Sequence, residues 1–399
     1  MNLRFATVIA ASAAVFSFSL VSAHAQSGVA LDHGRVFAPD TSIPYEADRG
    51  ERVHTNHLIQ VMPYGGLGVG GGMNPAQMRS FYGASATGGS GVIAIVDAYH
   101  YPTALNDFNV FSAQYGLPLE TSTNPLADTN KVFEVVYAKG NRAPRTDGGW
   151  SQEAALDIEW AHAMAPGAKI VLVEAASSGF SDMFAAVDKA KNLPGVTQVS
   201  MSWGGGEFSS ESSYDFHFNS STVAFFASSG DTGGVVEYPS SSPYVTAVGG
   251  TSVATYADGS FQGETGWSGA GGGTSQYEAK PGFQSVLSTV RRAVPDISSN
   301  ADPNTGVSVY DSTAYQGYSG WMVFGGTSVA APCMAAMHNA SGTTHKTTSS
   351  FLSYIYASYA TSPTSSNYRD ITSGYNGFSA GAGWDFVTGV GSPFSSLAF

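Results

Sequence analysis

Ser328 stands in the run Phe324-Gly-Gly-Thr-Ser-Val-Ala-Ala-Pro332. Two glycines permit a sharp turn and the close approach of another stretch of chain. The small residues from Val329 to Ala336 then suit a helix, which puts Ser328 on its first turn. Free N–H groups and the helix dipole favour an anion at that end. A nucleophilic serine needs those conditions: an exposed Oγ and a place for an oxyanion. Read alone, Gly-Gly-Thr-Ser is equally an ordinary helix cap.

A serine nucleophile needs a base. Nine histidines are present, and none lies in His-Gly-Thr-His, the setting of a subtilisin base. His162 sits at the end of a predicted helix, before Pro166-Gly167, and reads as a residue of that helix terminus. Glu153 and Asp157 are four apart on the same helix and share one face. With Glu159 they read most simply as a solvated acidic face. The functional alternative is a proton-sharing pair, in which one carboxyl holds its proton longer and the other serves as a general base in acid. Asp231 adds a third carboxyl in Ser228-Ser-Gly-Asp-Thr-Gly233, by itself an ordinary turn. Cys333 is the single cysteine, so no internal disulfide is available, and its small-residue helix suggests buried packing.

The elements that must position these groups alternate. Gly91–Val96 is an apolar run of strand length, suited to burial on both faces. Ala104–Tyr115 and Ser151–Met164 have helical spacing, the second stopped by Pro166-Gly167. Strands are expected at 131–138, 169–174, 196–202, 222–227 and 320–324, and helices at 181–191 and 211–220. Such alternation implies an α/β fold with a parallel sheet covered on both faces, and chemistry at the carboxyl ends of its strands. Ser202-Trp203-Gly204-Gly205 and the Asp231 loop both follow such ends.

The chain has 399 residues, is rich in Gly, Ser, Thr and aromatics, and carries a net charge of −13. No basic patch for nucleic acid is visible, and no segment after the start approaches membrane-spanning length. Residues 1–25 read as a secretory signal: Arg4, the apolar run Ala6–Val21, then Ala23-His24-Ala25 before Gln26. An exported protein, extracellular or periplasmic, is expected. Residues 26–73 are punctuated by loop-forming clusters and read as a short leader or N-terminal arm. His54 and His57 within it have metal-ligand spacing but no third ligand nearby. Residues 74–399 show no internal linker and read as one domain.

Taken together, these motifs resemble the sedolisins, or serine-carboxyl peptidases. The resemblance runs through Asn74–Gly83, Glu153-Ala-Ala-Leu-Asp157, Ser202-Trp-Gly-Gly205, Ser228–Gly233, Val294–Ser298, Ala301-Asp-Pro303, Gly325–Pro332, Arg369-Asp-Ile371, Gly381–Asp385 and Val387–Pro393, in that order. It implies a subtilisin-like three-layer sandwich around a mostly parallel sheet. By the same resemblance Ser328 is the nucleophile, Glu153 the general base, Asp157 its hydrogen-bonded orienting partner, and Asp231 the protonated donor to the oxyanion. Ser202, Trp203, Gly204 and Gly205 would pair with an extended substrate. Asp370 and Asp385, with the main-chain carbonyls of Ile371, Gly381 and Gly383, would hold one Ca2+ ion, whose preference for hard oxygen ligands suits that set.

The implied function is a secreted, acid-active endopeptidase acting on proteins or peptides as a monomer. A subtilisin-type neutral peptidase and an inactive extracellular binding protein of the same fold are the alternatives. Asp97 ends the first strand where subtilisins place their triad aspartate, with His100 three residues on. The large prosegment common in the family has no counterpart in 26–73, which is too short for such a domain.

Overall fold

The computed structural model describes residues 29–31, 35–61, 66–362 and 367–399. The signal stretch 1–25, with His24, lies outside them, as does His33.

The centre is an eight-stranded sheet. Its strands run in the order Phe261–Gly266, Thr246–Thr255, Ala224–Ser228, Val196–Met201, Val92–Ala98, Lys169–Ala175 and Phe133–Tyr137, and Ile297–Asn300 also joins Thr246–Thr255. Every pairing is parallel except that of Phe261–Gly266. The apolar runs explain this arrangement. Ile93 and Ile95 pack with Ile170 and Leu172 on one face, while Ala94 and Val96 pack with Val171 and Val173 on the other. A strand buried on both faces has no polar side to spare.

Helices Gly148–Met164 and Thr327–Ala340 cover the first face, through Ile158, Trp160 and Met334. Helix Phe180–Lys191 covers the second, through Met183 and Val187. The layers are therefore helix, sheet, helix. Helix Gly148–Met164 begins where the carboxylate of Asp147 accepts the N–H of Trp150 at 3.3 Å. It is buried from Gly149 to Met164. Such a helix has no solvent stripe, so Glu153, Asp157 and Glu159 are core groups and not a solvated face. Glu159 Oε2 accepts the N–H of Tyr310 at 3.0 Å.

Two expected elements differ. The strand Tyr318–Gly325 belongs to a second, antiparallel sheet of five strands, with Val307–Tyr315 and three strands of the arm, Val29–Leu31, Val36–Ala38 and Leu58–Gln60. Val307–Tyr315 is its hairpin neighbour, but its other partner, Leu58–Gln60, lies far away in sequence, so its apolar pattern could not name its sheet. The expected helix at 211–220 is the 3-10 turn Glu211–His217. Among the described residues no helix is long and apolar enough to cross a membrane.

Buried titratable groups set the pH range of this core. Burial pushes the carboxyls of Glu211 and Glu278 up, helped by the neighbouring Glu207 and Asp215 respectively. Burial also takes Asp311 to about 7. These groups stabilise the fold fully below the ordinary carboxyl range and lose that contribution as pH rises through their raised values. Burial lowers His162 and His338 to about 4. Their contribution is present above about pH 6.5 and is lost as pH falls towards 4. The two effects oppose each other between those limits, and only the carboxyl loss remains above. Thermal unfolding should therefore occur at a higher temperature at about pH 5 than at about pH 8. Glu211→Gln should flatten that fall.

Candidate active site

Gly326 precedes the Thr327–Ala340 helix with φ 98°. A Cβ there would overlap both the carbonyl oxygen of Asn56 and Oδ2 of Asp231. Those two oxygens thus face one point in front of the helix. The N–H of Ser328 donates to the same Asn56 oxygen at 3.0 Å. Ser328 Oγ donates to Ser202 O at 3.3 Å. Ser328 is fully buried, because the arm lies across it; the exposed Oγ expected from the sequence is covered by the chain's own residues.

Asp231 follows the Ala224–Ser228 strand. Its Oδ1 accepts the N–H and the hydroxyl of Thr327, each at 2.8 Å. Its Oδ2 is buried and has no partner. Burial raises its pKa well above the ordinary value; the Thr327 bonds oppose this, and the charges of Glu237 and Glu153 add to it. A protonated Asp231 has its free oxygen facing the carbonyl that Ser328 also contacts.

Glu153 and Asp157 project from one face of the central helix. Glu153 Oε2 lies 2.8 Å from His57 Nδ1, and its Oε1 has no partner. Asp157 Oδ1 accepts the hydroxyl of Ser202 at 2.7 Å, and its Oδ2 has none. The hydrogen bond that the resemblance implies between Glu153 and Asp157 is replaced here by these two separate contacts. The groups still feel each other: burial raises Asp157, and the charges of Asp97 and Glu153 raise it further. Asp97 is 1% exposed and neither of its oxygens has a partner. Burial and the charges of Glu153 and Glu174 raise it too. His100 Nδ1 instead lies 2.8 Å from Glu174. Asp97 and His100 therefore form no relay.

The cleft beside these groups is filled. Strand Trp203–Gly206 pairs antiparallel with the arm, Thr55 opposite Trp203 and His54 opposite Gly204. On the other edge the N–H of Val53 donates to Ser178 O at 2.9 Å, and that of Phe180 to Glu51 O at 3.1 Å. Residues 51–55 thus form the middle strand between two walls, and the next carbonyl, Asn56, reaches Ser328. The peptide bond Asn56–His57 lies at the nucleophile, as a bond to be cut would. Trp203 lends only its backbone here: its ring is in the core, with Nε1 donating to Val96 O at 2.8 Å. Along the arm the cleft widens to about 830 Å3, between Arg52, Arg145, Phe180 and His217.

His54 and His57 turn to different carboxyls, Glu237 at 3.5 Å and Glu153 at 2.8 Å, so their spacing does not make a metal site. His57 also stacks on Phe324, with ring centroids 5.3 Å apart. The sequence did not single out Asn56 or Glu237. Nothing local marked them, because the fold brings them together over a separation of 181 residues.

The carboxyl-terminal loops bring Asp370 and Asp385 near Gly381 and Gly383. Asp385 Oδ2 accepts the N–H of Gly381 at 2.8 Å, and Asp370 Oδ1 that of Gly383 at 3.0 Å. Among the described residues the carbonyls of Ile371, Gly381 and Gly383 accept no main-chain hydrogen bond. Two carboxylates with spare carbonyl oxygens in an irregular Gly-rich loop fit a hard cation.

Residues 138–340 match the model of the subtilase family. The chain belongs to the subtilase family. This subtilase is similar to sedolisin of Pseudomonas sp. (strain 101), 28% identical over 371 residues, covering 82% of this chain and 60% of that protein. It is also similar to kumamolisin of Bacillus sp. (strain MN-32), 33% identical over 282 residues, covering 60% of this chain and 49% of that one. The chain thus spans about half to three-fifths of the length of these relatives. The solved structure of Pseudomonas sedolisin, complexed with two molecules of pseudo-iodotyrostatin, superposes with TM-score 0.70 at 26% identity, covering 82% of this chain and 97% of that one. The structural likeness shows a subtilisin-like α/β fold.

The matched stretch contains Glu153, Asp157, Ser202–Gly205, Asp231 and Ser328, while the arm and the Asp370–Asp385 loops lie outside it. A side chain at 326 would displace the arm carbonyl and adopt a backbone conformation reserved for glycine. Gly326→Ala should cost about 1–3 kcal/mol in thermal unfolding and should leave the arm open to an added protease. An unchanged melting temperature with a protected arm would contradict this packing.

Proposed function

We propose that this chain is a secreted, acid-active serine-carboxyl endopeptidase. The observation that carries the reading is the Asn56 carbonyl: it takes the N–H of Ser328 and faces the unpartnered Oδ2 of Asp231. The chain's own segment thereby models a substrate.

Ser328 Oγ rotates from Ser202 O towards the carbonyl carbon and attacks it. Glu153, as carboxylate, takes the Oγ proton and later returns it to the leaving amine. The oxyanion rests on the Ser328 N–H and on protonated Asp231. Asp157, held by Ser202 and raised by burial, keeps a second carboxyl near Glu153. Water then attacks the acyl-enzyme by the same route in reverse. Asp231 donates only while protonated, so activity falls as pH rises through its raised pKa. The subtilisin-type alternative is disfavoured by the pairing of His100 with Glu174.

Ser328→Ala and Glu153→Ala should each lower peptide cleavage at about pH 4 by roughly 10⁴-fold or more. Cleavage surviving in Glu153→Ala would contradict the mechanism. The bond at the nucleophile supplies a second readout. After acid incubation the wild type should gain a new terminus at His57. Exported Ser328→Ala should keep Gln26 as its first residue, which also checks the signal at 1–25.

We further propose one structural Ca2+ ion held by Asp370, Asp385 and the carbonyls of Ile371, Gly381 and Gly383. The ion would cross-link the loops of a chain with no disulfide. A chelator should lower the unfolding temperature of the wild type and leave that of Asp385→Ala unchanged; no chelator effect on the wild type would count against the site.

A further inference from the structure

The arm lies in the cleft as an extended strand, so side chains two residues apart share a face. His54 and Asn56 are such a pair, and both meet one carboxyl group. Asn56 Nδ2 donates to Glu237 Oε2 at 3.3 Å and to Ser228 Oγ at 2.9 Å. His54 Nε2 lies 3.5 Å from Glu237 Oε1. Glu237 is 2% exposed, and among the described residues His54 is its one ion-pair partner. It comes from Glu237–Tyr238, a strand paired with the far edge of Trp203–Gly206. Room for it is made by glycine: a Cβ at Gly204 or Gly230 would overlap its carboxyl. Glu237 touches neither the attacking Oγ nor the oxyanion donors; its one link to them is the effect of its charge on Asp231.

Among the described residues the groups that meet this buried carboxyl are on the bound segment, the hydrogen bond of Asn56 and the ion-pair approach of His54, so it acts as a reader of that segment. An apolar side chain in the same place would leave Glu237 and Ser228 unpaired, and sites that hydrogen-bond their substrate reject analogues lacking the donor. We propose that Glu237 sets the specificity of this cleft by selecting N–H donor side chains at the first and third positions on the amino side of the cut bond, as in His54-Thr55-Asn56. This rests on the peptidase reading above.

The test uses the full chain, at about pH 4, on a denatured protein and on three synthetic peptides. One peptide carries the arm sequence 51–60; the others replace its Asn56 or its His54 with leucine. The wild type should cut the arm peptide after its asparagine with kcat/KM at least about tenfold above either leucine peptide. Glu237→Gln, which keeps an acceptor oxygen, should retain the preference for asparagine. Glu237→Leu should bring the asparagine and leucine peptides to within about threefold of each other, and its cleavage of the leucine peptides shows that it folds. Equal rates on all three peptides by the wild type overturn the inference and leave the peptidase reading intact. So does discrimination that persists in Glu237→Leu. Cleavage of neither the protein nor any peptide overturns the peptidase reading, and this inference falls with it.

Discussion

The carboxyl groups of Asp97 and Asp157 and the Oδ2 of Asp231 are buried, and among the described residues no lysine or arginine pairs with them, while Glu153 meets a histidine. Ionising such groups together is costly in a medium of low dielectric. The fold resolves this by holding protons, and each half-used oxygen follows from it: Asp231 Oδ2, Asp157 Oδ2, and both oxygens of Asp97 are left without partners. This is the physical basis of the acid activity proposed for the site. The wider core repeats the pattern at Glu211, Glu278 and Asp311, whose burial also favours the protonated form.

The second constraint is space at the helix start. With no Cβ at Gly326, a carbonyl and a carboxyl can both approach the first turn of the Thr327–Ala340 helix. The helix brings N–H groups, the turn before it brings proximity, and the strand end at Ala227-Ser228 brings Asp231. Each is ordinary. Their meeting point is where charge would develop on a carbonyl oxygen under attack.

Much of the frame was legible because the burial of each strand is written into it. Gly91–Val96 reads as apolar throughout, and the strand Val92–Ala98 lies in the middle of the sheet. The Ala104–Tyr115 helix has the bounds that its spacing predicts. Glu153 and Asp157 could be paired by their spacing, yet spacing alone could not tell a solvated face from a buried one. That distinction comes from the elements packed around the helix. The arm was the least legible part. Its strands are two or three residues long, too short for a period, and they take their register from Trp203–Gly206 and Tyr318–Gly325. For the same reason Asn56 and His57 read as loop residues until the cleft was in place around them.

Asp231 is the group on which the proposed acid requirement turns, so its replacement by asparagine tests the account most directly. Asparagine is neutral at every pH and still offers an N–H to the oxyanion. The measurement is the pH dependence of kcat/KM for Asp231→Asn against the wild type. The account predicts a lower maximum, by about 10²–10³-fold, and the loss of the fall that the wild type shows as Asp231 ionises, so that the variant works on into neutral pH. The same fall at the same pH in both proteins would contradict it.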